Sequence, residues 1–247
     1  MTVPNAPAHL ARGKSAEATD LLIVRRHRLV TELAPPAGGL LLDFGCGTGA
    51  QTMIFAPHFE RTLGADVEES SVRELEGAVR AAGLEGRVAA IHYDGRTLPI
   101  DSGSVDYVIS FEVLEHVDDE AQALSELHRV MKPGAVLAMS VPNRWWVFET
   151  HGAALPLLKW NRVPFFSWLP RPLHDRWARA RIYSRRDITT LLHQAGFTVH
   201  KAVYITAPMD VIRNPRVQRF LRSHVFKGDR TAIPFLATAV LVICRRR

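Results

Sequence analysis

The sequence predicts one α/β domain, residues 1–247, with a mainly parallel sheet and helices on both faces. Short apolar runs of strand length alternate with segments whose apolar residues recur three and four positions apart. Acidic residues, Asp43, Asp66 and Asp94, directly follow the first three of these runs. A chain of 247 residues is an ordinary size for such a domain and can bury a substantial core.

Strands are predicted where apolar runs are bounded by turn residues. The first run is apolar throughout, which is typical of a buried parallel strand, and the fourth follows the turn residues Asp101-Ser102-Gly103-Ser104. The predicted strands are 40–42, 61–65, 87–93, 105–111, 135–141, 197–205 and 234–244.

Helices are predicted where the apolar period is close to 3.6 and the ends carry cap or stop signals. Ser71 with Glu74, and Ser184 with Asp187, have the spacing of a capping box. The first helix stops before Pro35, and Gly196 ends the last. The predicted helices are 15–33, 50–56, 71–82, 120–131 and 184–195.

Composition excludes several classes of protein. No apolar run approaches the roughly 18 residues of a membrane span, and the N-terminus does not resemble a signal peptide. Two cysteines, Cys46 and Cys244, make no disulfide framework. We therefore expect a cytoplasmic protein and leave contact with a membrane surface open.

Charge is distributed unevenly along the chain. Residues 1–143 hold 12 Lys/Arg and 20 Asp/Glu, whereas residues 144–247 hold 19 and 5. The C-terminal part could meet an anionic partner, such as lipid headgroups, RNA or an acidic small molecule. A solvated basic surface without a partner explains the same pattern, and both interpretations stay open.

The segment after the first strand has the residue types of a nucleotide-type cofactor site. Glycines at alternate positions let the backbone turn sharply and approach a ligand closely. The spacing lacks the third glycine of a dinucleotide fingerprint and the Lys-Ser/Thr of a phosphate loop. The residues that would contact the cofactor are Asp43, Gly45, Cys46, Gly47 and Gly49.

The pattern D-x-G-x-G-x-G resembles motif I of the class I S-adenosylmethionine (SAM) dependent methyltransferases, of the type 11-like group. The resemblance is strong over residues 38–142 and weak over 182–205. It implies a Rossmann-like, seven-stranded sheet with an antiparallel last strand, and SAM as the cofactor. The glycine loop and the backbone after Phe111 would then hold the methionine portion.

The same resemblance assigns acids to the nucleoside part of the cofactor. An acid should end the second strand to bind the ribose hydroxyls, as in dinucleotide folds, and Asp66 with Val67 stands 21 positions after Gly45. Asp94 with Gly95 ends the third strand and would face the adenine amino group. Each acid could alone be an ordinary strand-end residue, but their joint order favours the cofactor site.

Residues 111–117, F-E-V-L-E-H-V, form the next motif. In helical geometry Glu112, Glu115 and His116 share one face and could hold a divalent metal. The run resembles that of the ubiquinone-pathway O-methyltransferases and of the small-RNA 2′-O-methyltransferases, two metal-dependent branches. Many similar methyltransferases carry this run without a metal, and His116 could instead act as a general base.

Two insertions, residues 144–181 and 207–231, lie where such folds hold substrate-specific elements. Glu149 and His151 follow the fifth strand and are predicted as substrate contacts, although they could only fix a loop; His174 is a weaker candidate. The first insertion interleaves tryptophans and phenylalanines with arginines. It could be a lid over an apolar pocket, a membrane contact, an RNA contact or a cover for the sheet edge.

We therefore expect a SAM-dependent methyltransferase that acts on a small, apolar acceptor, at oxygen. Two alternatives remain at this stage: 2′-O-methylation of RNA, which the basic C-terminal part favours, and a SAM-binding protein without enzymatic activity. The acceptor's identity and the oligomeric state are beyond the sequence.

Overall fold

The computed structural model describes residues 21–148 and 164–247, and its centre is one eight-stranded sheet. The spatial order of the strands is β3-β2-β1-β4-β5-β8-β6-β7. Their bounds are β1 Gly38–Phe44, β2 Phe59–Asp66, β3 Val88–His92, β4 Val105–Phe111, β5 Met131–Pro142, β6 Phe197–Thr206, β7 Arg230–Thr231 and β8 Ala237–Arg246.

Strands β1 to β5 pair in parallel, and β8 runs antiparallel to β5 and β6. The predicted mainly parallel sheet with an antiparallel last strand is therefore confirmed. The count of seven strands differs by one, because the two-residue strand β7 also pairs with β6. So short a strand has no alternating pattern by which the sequence could reveal it.

Seven α-helices are found in the described residues. They are α1 Leu21–Leu33, α2 Ala50–Phe55, α3 Glu69–Ala81, α4 Glu120–Val130, α5 Arg171–Trp177, α6 Arg185–Gln194 and α7 Pro215–His224. The capping box at Ser184 and Asp187 is present, whereas α3 begins at Glu69, two residues before the predicted cap at Ser71. Helices α5 and α7 were not predicted, because both lie inside the segments interpreted as insertions.

The core lies on both faces of the sheet, as the α/β prediction requires. One face packs against α4 and α6, with Leu124, Leu127 and Ile188 fully buried. The other packs against α1 through Leu29 and Val30. The parallel strands all end at one edge, hereafter the carboxyl edge, and this edge collects the loops that carry the candidate site.

Within residues 21–148 and 164–247, no helix is long and apolar enough to cross a membrane. That the whole chain forms one domain remains a prediction, since residues 1–20 and 149–163 lie outside the described part.

Candidate cofactor site

The glycine loop after β1 turns through three left-handed backbone positions. The φ angles are +76° at Gly45, +51° at Gly47 and +91° at Gly49, a region that L side chains rarely adopt. A Cβ on Gly45 would lie 2.4 Å from Cγ2 of Val113, just after β4. The glycine loop and the segment after β4 are therefore in direct contact at the carboxyl edge.

Asp43 lies at the end of β1 beneath this loop and is almost completely buried. Its Oδ2 accepts a hydrogen bond of 2.6 Å from the Thr52 hydroxyl on α2. Burial raises the pKa of Asp43 to about 7; the Thr52 bond opposes this rise, and the nearby Asp66 charge adds to it. Asp43 thus joins the strand to the helix that follows the loop.

Asp66, at the end of β2, ties the glycine loop to the neighbouring strand. Its Oδ2 accepts a 2.8 Å hydrogen bond from the Gly47 amide, and its Oδ1 accepts one of 2.9 Å from Glu68. The amides of Gly45 and Cys46 donate to the carbonyl of Ala65, at 2.8 and 3.1 Å. This carboxylate is therefore held in place by backbone on both sides.

Asp94, two residues after β3, is exposed and shapes the next turn. Its Oδ1 accepts hydrogen bonds from the amides of Arg96 and Thr97, at 2.8 and 2.9 Å. These bonds, that of Thr97 foremost, lower the pKa of Asp94. Gly95 has a φ of +79°, and a Cβ there would touch Val67 at 3.5 Å.

The three carboxylates lie close enough to influence the same neighbours. Burial is the main cause of the raised pKa values of Asp43, Cys46 and Tyr93; the charge of Asp66 adds to all three, and that of Asp94 adds to the pKa of Tyr93. A cofactor with phosphates needs basic side chains or amides, whereas carboxylates at these strand ends suit ribose hydroxyls and a cationic cofactor. The donor set therefore fits SAM, whose sulfonium is positive and which carries no phosphate.

Residues 111–117 are not helical: Phe111 ends β4, and residues 114–116 form a turn, with the His116 amide donating to Val113 O at 2.9 Å. Glu112 has a φ of +58°, which is uncommon outside glycine and typical of functional sites. Because the backbone is not helical, the i, i+3, i+4 argument for one shared face does not apply here.

Glu112 is held by an arginine that the sequence interpretation missed. Nη2 of Arg26, on α1, lies 2.8 Å from Oε1 of Glu112, which also accepts a 3.1 Å bond from the Ser140 hydroxyl. The Arg26 guanidinium lies 5.7 Å from the ring centroid of Phe111. Arg26 lies on the buried face of α1 together with Ile23 and Val30. An arginine at the spacing of core residues was therefore the sequence signal that could have revealed this contact.

Glu115 and His116 both lie in this turn, with their side chains near each other. Glu115 is fully buried, and its Oε1 lies 3.9 Å from Nε2 of His116. Arg181 holds the segment: its amide donates to Glu115 O at 3.2 Å and its guanidinium to Val117 O at 2.5 Å. The segment is thereby fixed to the chain that leads into α6.

The metal site predicted at Glu112, Glu115 and His116 stays a prediction. In the ranges 21–148 and 164–247, no group of three or more His, Cys, Asp or Glu side chains could hold a metal ion. Two features differ from the helical arrangement on which that prediction rests: residues 114–116 form a turn, and Glu112 is engaged by Arg26 and Ser140.

Four further predicted residues have different outcomes. Phe111 is at the end of β4, almost buried, with its ring 6.1 Å from that of Phe55. Glu149 and His151, the predicted substrate contacts, lie outside the described residues. His174 is buried in α5, with its ring 5.2 Å from that of Phe166.

Comparison with known proteins supports a methyltransferase domain. The family model described as "Methyltransferase domain" matches residues 42–139, which include the glycine loop and all three acids. The "Probable S-adenosylmethionine-dependent methyltransferase" of Mycolicibacterium smegmatis is 33% identical over 177 residues, 71% of this chain and 59% of that protein.

A second relative is the ubiquinone biosynthesis O-methyltransferase of Ruegeria pomeroyi, 32% identical over 66% of this chain and 61% of that protein. The chain thus spans about three fifths of the length of these two relatives. The crystal structure of a SAM-dependent methyltransferase from Mesorhizobium loti has a TM-score of 0.63 and 20% identity. The alignment covers 90% of this chain and 98% of the Mesorhizobium loti chain. At 20% identity, this likeness shows the fold alone.

Proposed function

We propose that the chain is a class I SAM-dependent methyltransferase and that it transfers a methyl group from SAM to an oxygen of a small, apolar acceptor. The observation that carries the proposal is the pair of hydrogen bonds that fix Asp66 between Gly47 and Glu68. They hold the Asp66 carboxylate at the end of β2, and this supports the proposed role of Asp66 in binding the ribose hydroxyls. When bound, SAM supplies an electrophilic methyl group on a sulfonium.

The residues around the glycine loop have distinct proposed roles. Asp66 and Val67 contact the ribose side, and Asp94 with Gly95 the adenine. Asp43, joined to Thr52, supports the loop from below, while Gly45, Cys46, Gly47, Gly49 and the backbone after Phe111 take the methionine portion. Positioning donor and acceptor at near-attack distance is the main contribution that such a site makes to the rate.

The proton of an acceptor hydroxyl must go to a base, and we assign this role to His116. The buried Glu115 carboxylate lies 3.9 Å from Nε2, beyond hydrogen-bond distance, and its negative charge stabilises the imidazolium that forms. Similarity to an enzyme named ubiquinone biosynthesis O-methyltransferase supports oxygen as the accepting atom.

The test is methyl transfer from isotopically labelled SAM to matched sets of small phenols, carboxylic acids and amines. We expect label in methyl ethers or esters. Transfer to amines alone would refute oxygen as the acceptor atom, and SAM binding without transfer to any member or to an extract of cell metabolites would favour the non-enzymatic alternative.

A further inference from the structure

A surface of exposed aromatic side chains flanked by arginines extends from the carboxyl edge of the sheet. Within the described residues, all ten exposed large apolar side chains lie between Trp145 and Phe235. No large apolar side chain is exposed in residues 21–144 or in residues 236–247. Exposed apolar groups so concentrated mark an interaction surface rather than chance exposure.

Four of these side chains form one cluster that reaches solvent. The ring centroids of Trp145 and Phe235 are 5.8 Å apart, those of Trp168 and Phe235 5.6 Å, and those of Phe165 and Trp168 5.1 Å. Each ring is at least 39% exposed despite these contacts. Phe165 adopts a φ of +62°, an unfavourable backbone conformation for a bulky residue, and its side chain is 57% exposed.

Helix α7 continues this surface, since none of its residues is fully buried. Leu221 faces inward against the cluster that contains Trp146 and Phe226, whereas Phe220 points outward and is 58% exposed. Trp146 and Leu236, both in that inner cluster, are the sequence neighbours of Trp145 and Phe235. The helix and the aromatic cluster therefore cover adjoining parts of one inner core.

The charge around Phe220 is positive. Residues 207–231 contain six Lys/Arg and two Asp. Arg222 points toward the protein and pairs with Asp210 at 2.5 Å, and Arg25 and Arg28 lie within 3.7 Å of the Asp229 carboxylate. Both acids are thus engaged, whereas Arg216 and Arg219 form no ion pair with any residue in the described ranges.

We propose that this arginine–aromatic surface, formed by Trp145, Phe165, Trp168, Phe235 and the outward residues Arg216, Arg219 and Phe220 of α7, docks on an anionic lipid bilayer. Aromatic rings at the headgroup boundary with arginines beside them match the chemistry of such a surface. A second copy of the chain would bring equal positive charges together, which disfavours that occupant. The inference is independent of the methyl-transfer reaction.

The test is co-sedimentation of the full chain with vesicles of phosphatidylcholine, with and without phosphatidylglycerol, at low and high salt. We expect binding that requires phosphatidylglycerol and weakens as salt rises. Arg216→Gln combined with Arg219→Gln should weaken it about 30-fold, since each basic residue near an anionic surface contributes about 1 kcal/mol. Phe220→Ser and Phe235→Ser should each weaken it about tenfold.

The matched control is Arg73→Gln combined with Arg80→Gln on α3, which packs on β2 and β3 at the opposite end of the sheet. It removes the same charge from exposed positions and should bind like the unaltered protein. Equal loss in the control, or no binding to phosphatidylglycerol vesicles, would overturn the proposal. Dimers seen by sedimentation velocity would also overturn it, if Phe220→Ser dissociates them. Calorimetric titration of the same variants with SAM shows whether the cofactor site is intact. A loss of vesicle binding with unchanged SAM affinity then belongs to the docking surface alone.

Discussion

Arg26 and Glu112 form an ion pair that joins α1 to the segment after β4, with 2.8 Å between Nη2 and Oε1. The arginine side chain is 4% exposed and the glutamate 23%, so the pair is largely shielded from water. It fixes a glutamate whose backbone is left-handed, directly beside Val113 and the glycine loop. We infer that α1 shapes the acceptor side of the site through this contact.

Removing only one member of the pair should be costly. We predict that Arg26→Met lowers the free energy of unfolding by about 2–3 kcal/mol, because it leaves a partly buried carboxylate without its partner. Arg26→Met with Glu112→Gln should recover most of this loss. Urea unfolding of the unaltered protein, the two single variants and the double variant measures the interaction energy of the pair.

The control for this cycle is Arg28→Met on the same helix. Arg28 is 64% exposed and lies 3.7 Å from Asp229, so its loss should cost less than about 0.5 kcal/mol. Equal effects of Arg26→Met and Arg28→Met would contradict a specific role for the Arg26–Glu112 pair.

Asp43 predicts a pH dependence of stability. Its pKa is raised to about 7 in the folded state, so the folded state binds this proton more tightly than the unfolded state. Its stabilising contribution is therefore complete below about pH 4 and is lost as pH rises to about 7, by at most about 4 kcal/mol. In Asp43→Asn this loss should vanish, as measured by urea unfolding from pH 4 to 7.5.

Asp106 provides a control of opposite sign. Burial raises its pKa, but the Lys132 ammonium and the Leu40 amide outweigh burial, so its pKa is lowered. Asp106 therefore stabilises the folded state at pH values above the ordinary pKa of an aspartate, and this stabilisation is lost as the pH falls. The difference between unaltered protein and Asp106→Asn should thus change with pH in the opposite direction to that of Asp43→Asn; slopes of the same sign would be evidence against the assignment.

Gly45 should tolerate no side chain. Gly45→Ala combines an unfavourable φ with a Cβ 2.4 Å from Val113, and we predict a loss of about 2–4 kcal/mol with at least tenfold weaker SAM binding. Val113→Ala should partly restore both. Gly83→Ala, with a φ of +66° and nothing within 4 Å of the added Cβ, isolates the backbone strain alone. If Gly45→Ala cost no more than Gly83→Ala, the contact with Val113 would not matter.

His116 should matter for turnover rather than for cofactor affinity. We predict that His116→Gln lowers kcat about 10²-fold or more with a phenolic acceptor, while the Kd for SAM changes less than threefold. Glu115→Gln should lower kcat by a smaller factor. His200→Gln, an exposed histidine on β6, serves as the matched control. An unchanged kcat in His116→Gln would remove this residue from the proposed mechanism.

The sequence predicted the sheet and the cofactor edge because both rest on local signals. Apolar runs, the glycine spacing and the acids that follow three strands each reflect nearby residues only. The Rossmann-like sheet with its antiparallel last strand came from the resemblance to a family, and the structure confirms it.

The acceptor side was less predictable, because long-range contacts determine it. The Arg26–Glu112 pair joins residues 86 positions apart, and Arg181 holds a turn about 65 positions earlier. Tertiary contacts of this kind hold the segment after β4 as a turn, and not in the helical geometry that would bring Glu112, Glu115 and His116 onto one face. Helix α5 has Pro172 in its first turn and α7 begins at Pro215, and both lie inside segments rich in arginine, where apolar periodicity is weak.

Calorimetric titration with SAM tests the central claim most directly, using the unaltered chain, Asp66→Asn, Asp66→Ala and the control Asp106→Ala. We predict saturable 1:1 binding by the unaltered chain and by the control, about 100-fold weaker binding by Asp66→Ala, and an intermediate affinity for Asp66→Asn. Thermal unfolding verifies that each variant is folded. No saturable binding by the unaltered chain, or equal affinity in folded Asp66→Ala, would contradict the account.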